Sequence, residues 1–315
     1  MSRPLRITFP GAFYHVTSRG NERRSIFQSG RDFERFAGYL ESATERYGAV
    51  VHCFCLMANH YHLLLETPRA NLEAILHHLN TGYTDYFNIK RGRSGHLFQG
   101  RYKAILVEKD SYALELSRYI HLNPVRAQIV KDPSEYTWSS YVTYIGRERS
   151  WDWLCEDFIL GQLSEDKQRA YRRYRDYVKE AVGRSLQDPL QNTVASTMLG
   201  SDRFVEWVKE KWLKKARPDR DIPALRRLTN WPELSLIARE TDRVFGRGTS
   251  EARKIAIYLS HRLSGLMLGE IGEYYKKISP SAVSQNTRRM EERLKEESEL
   301  SKKVHHLKEM ILSNV

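Results

Sequence analysis

The 315-residue chain is predicted to be an α+β protein, an antiparallel sheet with helices on one face followed by an all-helical region. Three observations carry that prediction. Strand-like and helix-like spacings of apolar residues alternate as far as residue 146. From 191 onward the spacing is wholly helical, and the stretch between turns aromatic and basic.

Positions 12–18 are rich in strand formers, and 31–47 set Phe33, Phe36, Leu40 and Ala43 at helical spacing. Strand-like runs at 50–56 and 61–66 flank the turn Met57-Ala58-Asn59. Asn71 then caps a helix bearing Leu72, Ile75, Leu76, Leu79, Tyr83 and Tyr86. Residues 102–108 read as a fourth strand, and Asp110 opens a helix through Tyr119 that Pro124 stops near Asn123. The order β-α-β-β-α-β with a trailing helix is the ferredoxin-like split βαβ sandwich, whose trailing helix must fold back over the sheet. Beyond Gly146, 151–161 reads as an aromatic connector and 164–183 as a helix carrying Tyr171, Tyr174 and Tyr177 among basic residues. Phe204, Val205, Trp207, Val208 and Trp212 share one amphipathic helix, 209–227 is basic, and 291–311 is charged and helical. The boundaries expected are 1–146, a helical connector at 147–190, and an all-helical region at 191–315.

A net charge of +12 calls for a polyanionic partner, and nucleic acid comes first because binding it releases condensed counterions. Cys53 and Cys55 lie in an apolar run and Cys155 stands alone, which excludes a disulfide framework and leaves no second pair for a zinc cage. No apolar run approaches the roughly 20 residues of a membrane span, and no signal peptide or lipidation motif is present. A soluble, cytoplasmic protein with no membrane partner is expected.

Chemistry concentrates in Met57-Ala58-Asn59-His60-Tyr61-His62-Leu63-Leu64-Leu65-Glu66. His60 and His62 alternate on a strand, so both imidazoles leave one face and can reach one divalent metal. Further on, Tyr119 and Asn123 stand one helical turn apart in Ser117-Arg118-Tyr119-Ile120-His121-Leu122-Asn123-Pro124. Two imidazoles and an amide oxygen leave coordination positions open, through which a metal can grip a phosphate oxygen. A phenol of pKa about 10 becomes a useful nucleophile against an electrophile so polarised, helped by nearby cations. Taken alone, a His-x-His pair on a strand is more often structural than metal-binding. Tyr112, seven residues before Tyr119 on the same helical face, is a rival nucleophile.

Four blocks resemble the single-tyrosine HUH transposases, most closely the REP-associated tyrosine transposases of bacteria. They are Phe13-Tyr14-His15-Val16-Thr17-Ser18-Arg19-Gly20-Asn21, Met57-Ala58-Asn59-His60-Tyr61-His62-Leu63-Leu64, His96-Leu97-Phe98-Gln99-Gly100-Arg101-Tyr102-Lys103, and Tyr119-Ile120-His121-Leu122-Asn123-Pro124-Val125-Arg126-Ala127. All precede Gly146. The resemblance implies that His60, His62 and Asn123 hold Mg²⁺ or Mn²⁺, and that Tyr119 cuts single-stranded hairpin DNA and keeps the 5′ phosphate. Arg19, Asn21, Arg101 and Lys103 are the candidates for contacts to the strand or hairpin. Ala58 departs from the proline common in relatives, and Tyr61 from a smaller apolar residue, with the ligands left in place.

The C-terminal region carries a second signal at about 251–294. Leu268-Gly269-Glu270-Ile271-Gly272-Glu273-Tyr274-Tyr275, then Lys276-Lys277-Ile278, lead into Ser279-Pro280-Ser281-Ala282-Val283-Ser284-Gln285-Asn286-Thr287-Arg288-Arg289-Met290. Serine at an N-cap with proline at the first helical position starts a helix, so the layout is helix-turn-helix. It resembles the double-stranded-DNA-binding domain of the bacterial replication initiator. That implies phosphate contacts from Lys276 and Lys277 and base or backbone contacts from Ser281, Gln285, Asn286, Arg288 and Arg289. A monomer or homodimer is expected. The competing function is a non-catalytic, sequence- or hairpin-specific DNA-binding regulator.

Overall fold

A computed structural model describes residues 5–147, 151–184, 188–213, 223–228 and 231–313. The chain divides into two compact units, residues 6–206 and 207–315.

In the first unit the strands are β1 (Ala12–Arg19), β2 (Val50–Met57), β3 (His60–Thr67) and β4 (Lys103–Val107). The helices between them are α1 (Gly30–Tyr47) and α2 (Leu72–Arg91), with α3 (Lys109–His121) trailing. The sheet runs β2-β3-β1-β4-β5, where β5 is the two-residue strand Met198–Leu199 lying parallel to β4; the other pairings are antiparallel. In β1 and β3, Thr17 stands opposite His62 and Arg19 opposite His60. Side chains alternate across a strand, so His15, Thr17, Arg19, His60 and His62 share one face, and Tyr14, Val16 and Tyr61 the other.

The Tyr61 face meets α1 and α2, through Phe36 against Tyr61 and Tyr83 against Phe36. Asp32, fully buried, joins these helices. Its carboxylate accepts from the Gln28 and Ser29 amides at 2.8 and 3.0 Å, from Lys90 Nζ at 2.7 Å and from Arg91. Burial alone would raise its pKa, but these donors hold it well below the carboxylate range. The two crossover helices thus occupy one face, and α3 covers the other.

Residues beyond 146 belong to this same unit. The helix α5 (Lys167–Lys179) inserts Tyr174 beneath α3, after the single turn α4 (Asn123–Arg126). Tyr174 donates to Ser117 Oγ at 2.8 Å and stands 2.7 Å from His121 Nδ1, whose Nε2 lies 2.7 Å from Ser140 Oγ. A tyrosine hydroxyl has one proton, so His121 Nδ1–H donates to Tyr174, and Nε2 accepts from Ser140. Burial lowers the His121 pKa to about 3, which keeps it neutral.

The second unit is helical among its described residues: α6 (Leu234–Phe245), α7 (Ser250–Leu263), α8 (Leu268–Tyr274), α9 (Pro280–Glu296) and α10 (Ser298–Ser313). Ile237, Ile255, Leu259, Met290 and Leu307 form one core cluster; Ile257, Ile271, Tyr275 and Val283 another. Within 202–213 the structure corrects one expectation. Val205, Val208 and Leu213 are buried, but Trp207 and Trp212 are exposed: Trp207 lies off the buried stripe of the α-helix Asp202–Val208, and the wider π-helical turn that follows, Lys209–Leu213, breaks the 3.6-residue phase before Trp212. Most of the basic stretch at 209–227 lies outside the described residues.

Candidate active site on the histidine face

The turn between β2 and β3 is clasped by the segment after β1. Ile26 and Phe27 donate backbone hydrogen bonds to Ala58 O at 2.8 and 3.0 Å, and Gly20 donates to Asn59 O at 2.8 Å. A side chain at Gly20 would put a Cβ 2.1 Å from Arg24 O, so only glycine fits. At the tip Glu22 and Arg23 take φ of 54° and 60°, a conformation rare for residues with a Cβ.

That clasp decides which nitrogen of His60 is available. Asn59 Nδ2 donates to Arg23 O at 3.1 Å, which orients the amide so that its Oδ1 faces His60 Nδ1, 2.6 Å away. A carbonyl accepts only, so Nδ1 must carry the proton and Nε2 keeps its lone pair. In His62, Nδ1 lies 3.0 Å from His15 Nε2, which again leaves Nε2 for a ligand. The His60 and His62 ring centroids are 5.0 Å apart. Burial, then the charge of Arg19, lowers the His60 pKa; burial, then His15, His60 and Arg126, holds His62 well below its usual value. Both imidazoles are neutral, the form that ligates metal.

Tyr119, on α3, closes the site. Its ring meets the rings of His62 and His15 edge-on, with centroids 6.1 Å from each. Among the described residues no such ring contact reaches the histidines from Tyr112. The Arg126 guanidinium lies 4.5 Å over the Tyr119 ring. Burial and the neighbouring Asp188 raise the phenol pKa, while Arg126 lowers it; the net direction is up. The expected cation is therefore present but outweighed. Asn123 begins α4, where its Nδ2 donates to Tyr119 O at 2.9 Å and Ile120 O at 3.3 Å, so Oδ1 is the atom left for a cation. Among the described residues no three His, Cys, Asp or Glu side chains form a metal cage; the set expected from sequence, two imidazoles and an amide oxygen, consists of donor types suited to a cation.

Of the candidate DNA contacts, Arg19 and Lys103 lie on the histidine face, where Lys103 pairs with Thr17. Arg19 is held by Gln99 Oε1 at 3.0 Å. Asn21 is exposed in the clasp, where its amide donates to Leu97 O at 2.8 Å. Arg101 instead lines a groove of about 470 Å³ against α2, with Arg6, His77, His96 and Tyr102.

Residues 8–123 match the family model of IS200-like transposases. That span is 116 of the 315 residues. The four sequence blocks fall within or at the edge of that span. Among solved structures the chain is similar to a REP-associated tyrosine transposase bound to a REP hairpin, at 16% identity over 50% of this chain and 93% of that one, with a TM-score of 0.41. No curated protein matches. Among the described residues no helix is long and apolar enough to cross a membrane.

Sequence reasoning missed Asn59, His15 and Asp188 as parts of this candidate site. His15 was findable, since its odd position in β1 puts it on the histidine face once β1 pairs with β3.

In the second unit, α9 starts at N-cap Ser279, whose side chain accepts from the Ala282 amide. Ser281, Gln285, Arg288 and Arg289 are exposed along one stripe of α9, with Lys276 and Lys277 exposed in the turn before it. Both lysines take positive φ, 63° and 56°. Gly272 makes that turn possible, because a Cβ there would lie 2.2 Å from Ile278 O. Asn286 is committed elsewhere, its Nδ2 donating to Lys254 O at 2.8 Å.

Proposed function

We propose that this chain cuts and rejoins single-stranded DNA at hairpin-associated sites through a 5′-phosphotyrosine on Tyr119, working in a bacterial cytoplasm. What carries this reading is the Tyr119 ring set edge-on to His62, beside His60, whose Nε2 lone pair is left for a cation, and with His62 engaged by His15 through Nδ1. His60, His62 and Asn123 Oδ1 would hold Mg²⁺ or Mn²⁺, which when bound acts as a Lewis acid on a phosphate oxygen. The phenol oxygen attacks phosphorus, the bond to the 3′ oxygen breaks and that oxygen takes a proton from water to leave as a hydroxyl, while the phenolic proton has the Asp188 carboxylate beside it as acceptor. Arg126 offsets the negative charge that develops on the phenol oxygen. Attack by a 3′ hydroxyl on the phosphotyrosine reverses the sequence and rejoins the strand.

Arg19, Asn21 and Lys103 would line the strand's path on this face, with Arg101 on the hairpin side. The second unit would bind duplex DNA through Lys276, Lys277, Ser281, Gln285, Arg288 and Arg289. Labelled single-stranded hairpin DNA mixed with protein and Mn²⁺ tests the reading on a denaturing gel. A covalent adduct is expected from wild type and Tyr112→Phe and none from Tyr119→Phe, which removes only the hydroxyl. An adduct formed by Tyr119→Phe would overturn the assignment. Hairpin binding with no adduct from any of them would favour the regulator.

A further inference from the structure

His15 is fully buried in the middle of β1, yet it is a polar ring with one nitrogen unsatisfied. Its Nε2 lies 3.0 Å from His62 Nδ1 and the two rings are stacked, 5.3 Å between centroids and 14° from parallel. Among the described residues its Nδ1 has no hydrogen-bond partner. A leucine or phenylalanine would fill the same volume without that cost. Two arrangements of the shared proton are open. If His15 Nε2–H donates, His62 must carry its proton on Nε2 and cannot ligate there. If His62 Nδ1–H donates, His15 accepts, and the His62 Nε2 lone pair is free.

We propose that His15 is a positioning residue for His62: its Nε2 accepts the His62 Nδ1 proton, fixing the ring's orientation and directing the Nε2 lone pair to the cation. Asn59 does the same for His60 from the other side, so each imidazole has its own acceptor. The inference rests on the metal-dependent reading above. His15 is not itself a ligand, because Nε2 is engaged and Nδ1 is sealed from solvent.

The test is Mn²⁺ binding to the full chain, followed by loss of the free-ion paramagnetic resonance signal, alongside hairpin affinity by fluorescence anisotropy. An acceptor beside a ligating histidine typically contributes 10–100-fold in metal affinity. His15→Phe, which keeps ring volume, should weaken Mn²⁺ by roughly that factor with hairpin affinity and circular dichroism unchanged. His15→Gln, whose Oε1 can accept the same proton, should recover much of the loss, which a purely space-filling role would not predict. Selective ¹⁵N-histidine spectra of wild type with Zn²⁺ should report His62 protonated on Nδ1. Wild-type affinity in His15→Phe while His62→Ala loses binding would overturn the positioning role alone. No Mn²⁺ binding by wild type, or none lost in His62→Ala, would overturn the metal reading and this proposal with it.

Discussion

Replacing Arg288 and Arg289 together with alanine should flatten the salt dependence of duplex binding. Both side chains are exposed on α9, and among the described residues Arg288 is held only by Glu292, 3.2 Å away one turn on. An exposed pair at that spacing is worth about 0.3–0.5 kcal/mol, so releasing it to a phosphate costs little. Each phosphate contact contributes about 0.9 to the slope of log affinity against log salt, so losing two flattens it by about 1.8. Over a fourfold rise in salt, from about 50 to 200 mM, wild type should therefore lose roughly tenfold more affinity than the double variant. Anisotropy titrations of one labelled duplex at four salt concentrations measure both slopes, and each single variant should fall halfway. Neither arginine is buried, so the unfolding free energy of the variant in urea should stay within about 0.5 kcal/mol of wild type. Parallel salt lines for wild type and double variant would show that this stripe makes no phosphate contact.

A chain cut after Gly146 should melt well below one cut after Glu206, because it loses Tyr174 under His121 and the β5 bonds from Leu106 N to Thr197 O and from Glu108 N to Leu199 O, both 2.8 Å. An unpartnered buried Nδ1–H alone costs about 1–3 kcal/mol, and equal melting temperatures would refute the dependence. Acid should destabilise the first unit through His121. Its folded pKa lies below the unfolded value, so its stabilising contribution is complete above about pH 6.5 and is lost as pH falls toward about 3. The loss therefore grows with each pH unit below about 6.5. Urea unfolding at pH 7, 5 and 4 should show a flatter pH dependence for His121→Gln than for wild type; identical dependences would exclude His121 as the titrating group.

Much of the first unit was legible because its signals are local. The runs at 12–18, 50–56 and 61–66 became Ala12–Arg19, Val50–Met57 and His60–Thr67, each within a residue or two, since apolar alternation and the turn at 57–59 both report half-buried strands. β5 was illegible: two residues carry no period, and Met198–Leu199 is a strand only because β4 supplies its partners. The π-helical turn at 209–213 was equally hidden, because its phase slip leaves no compositional mark. In the site, residue types and parity pointed to His60, His62 and Tyr119. The proton positions were beyond sequence, since they depend on a carbonyl at residue 23 and a ring at residue 15.

The His60 tautomer is set through Asn59 by a main-chain oxygen 36 positions before that asparagine, that of Arg23. Side-chain scanning is blind to such a determinant: Arg23→Ala keeps the carbonyl and would score as dispensable. Divergence in this loop can therefore be wide in residue identity and narrow in backbone path, with Gly20 as the position at which the path is enforced. An inactivating change here could lie outside every ligand and every DNA contact, through nothing more than a one-residue insertion between Gly20 and Arg24.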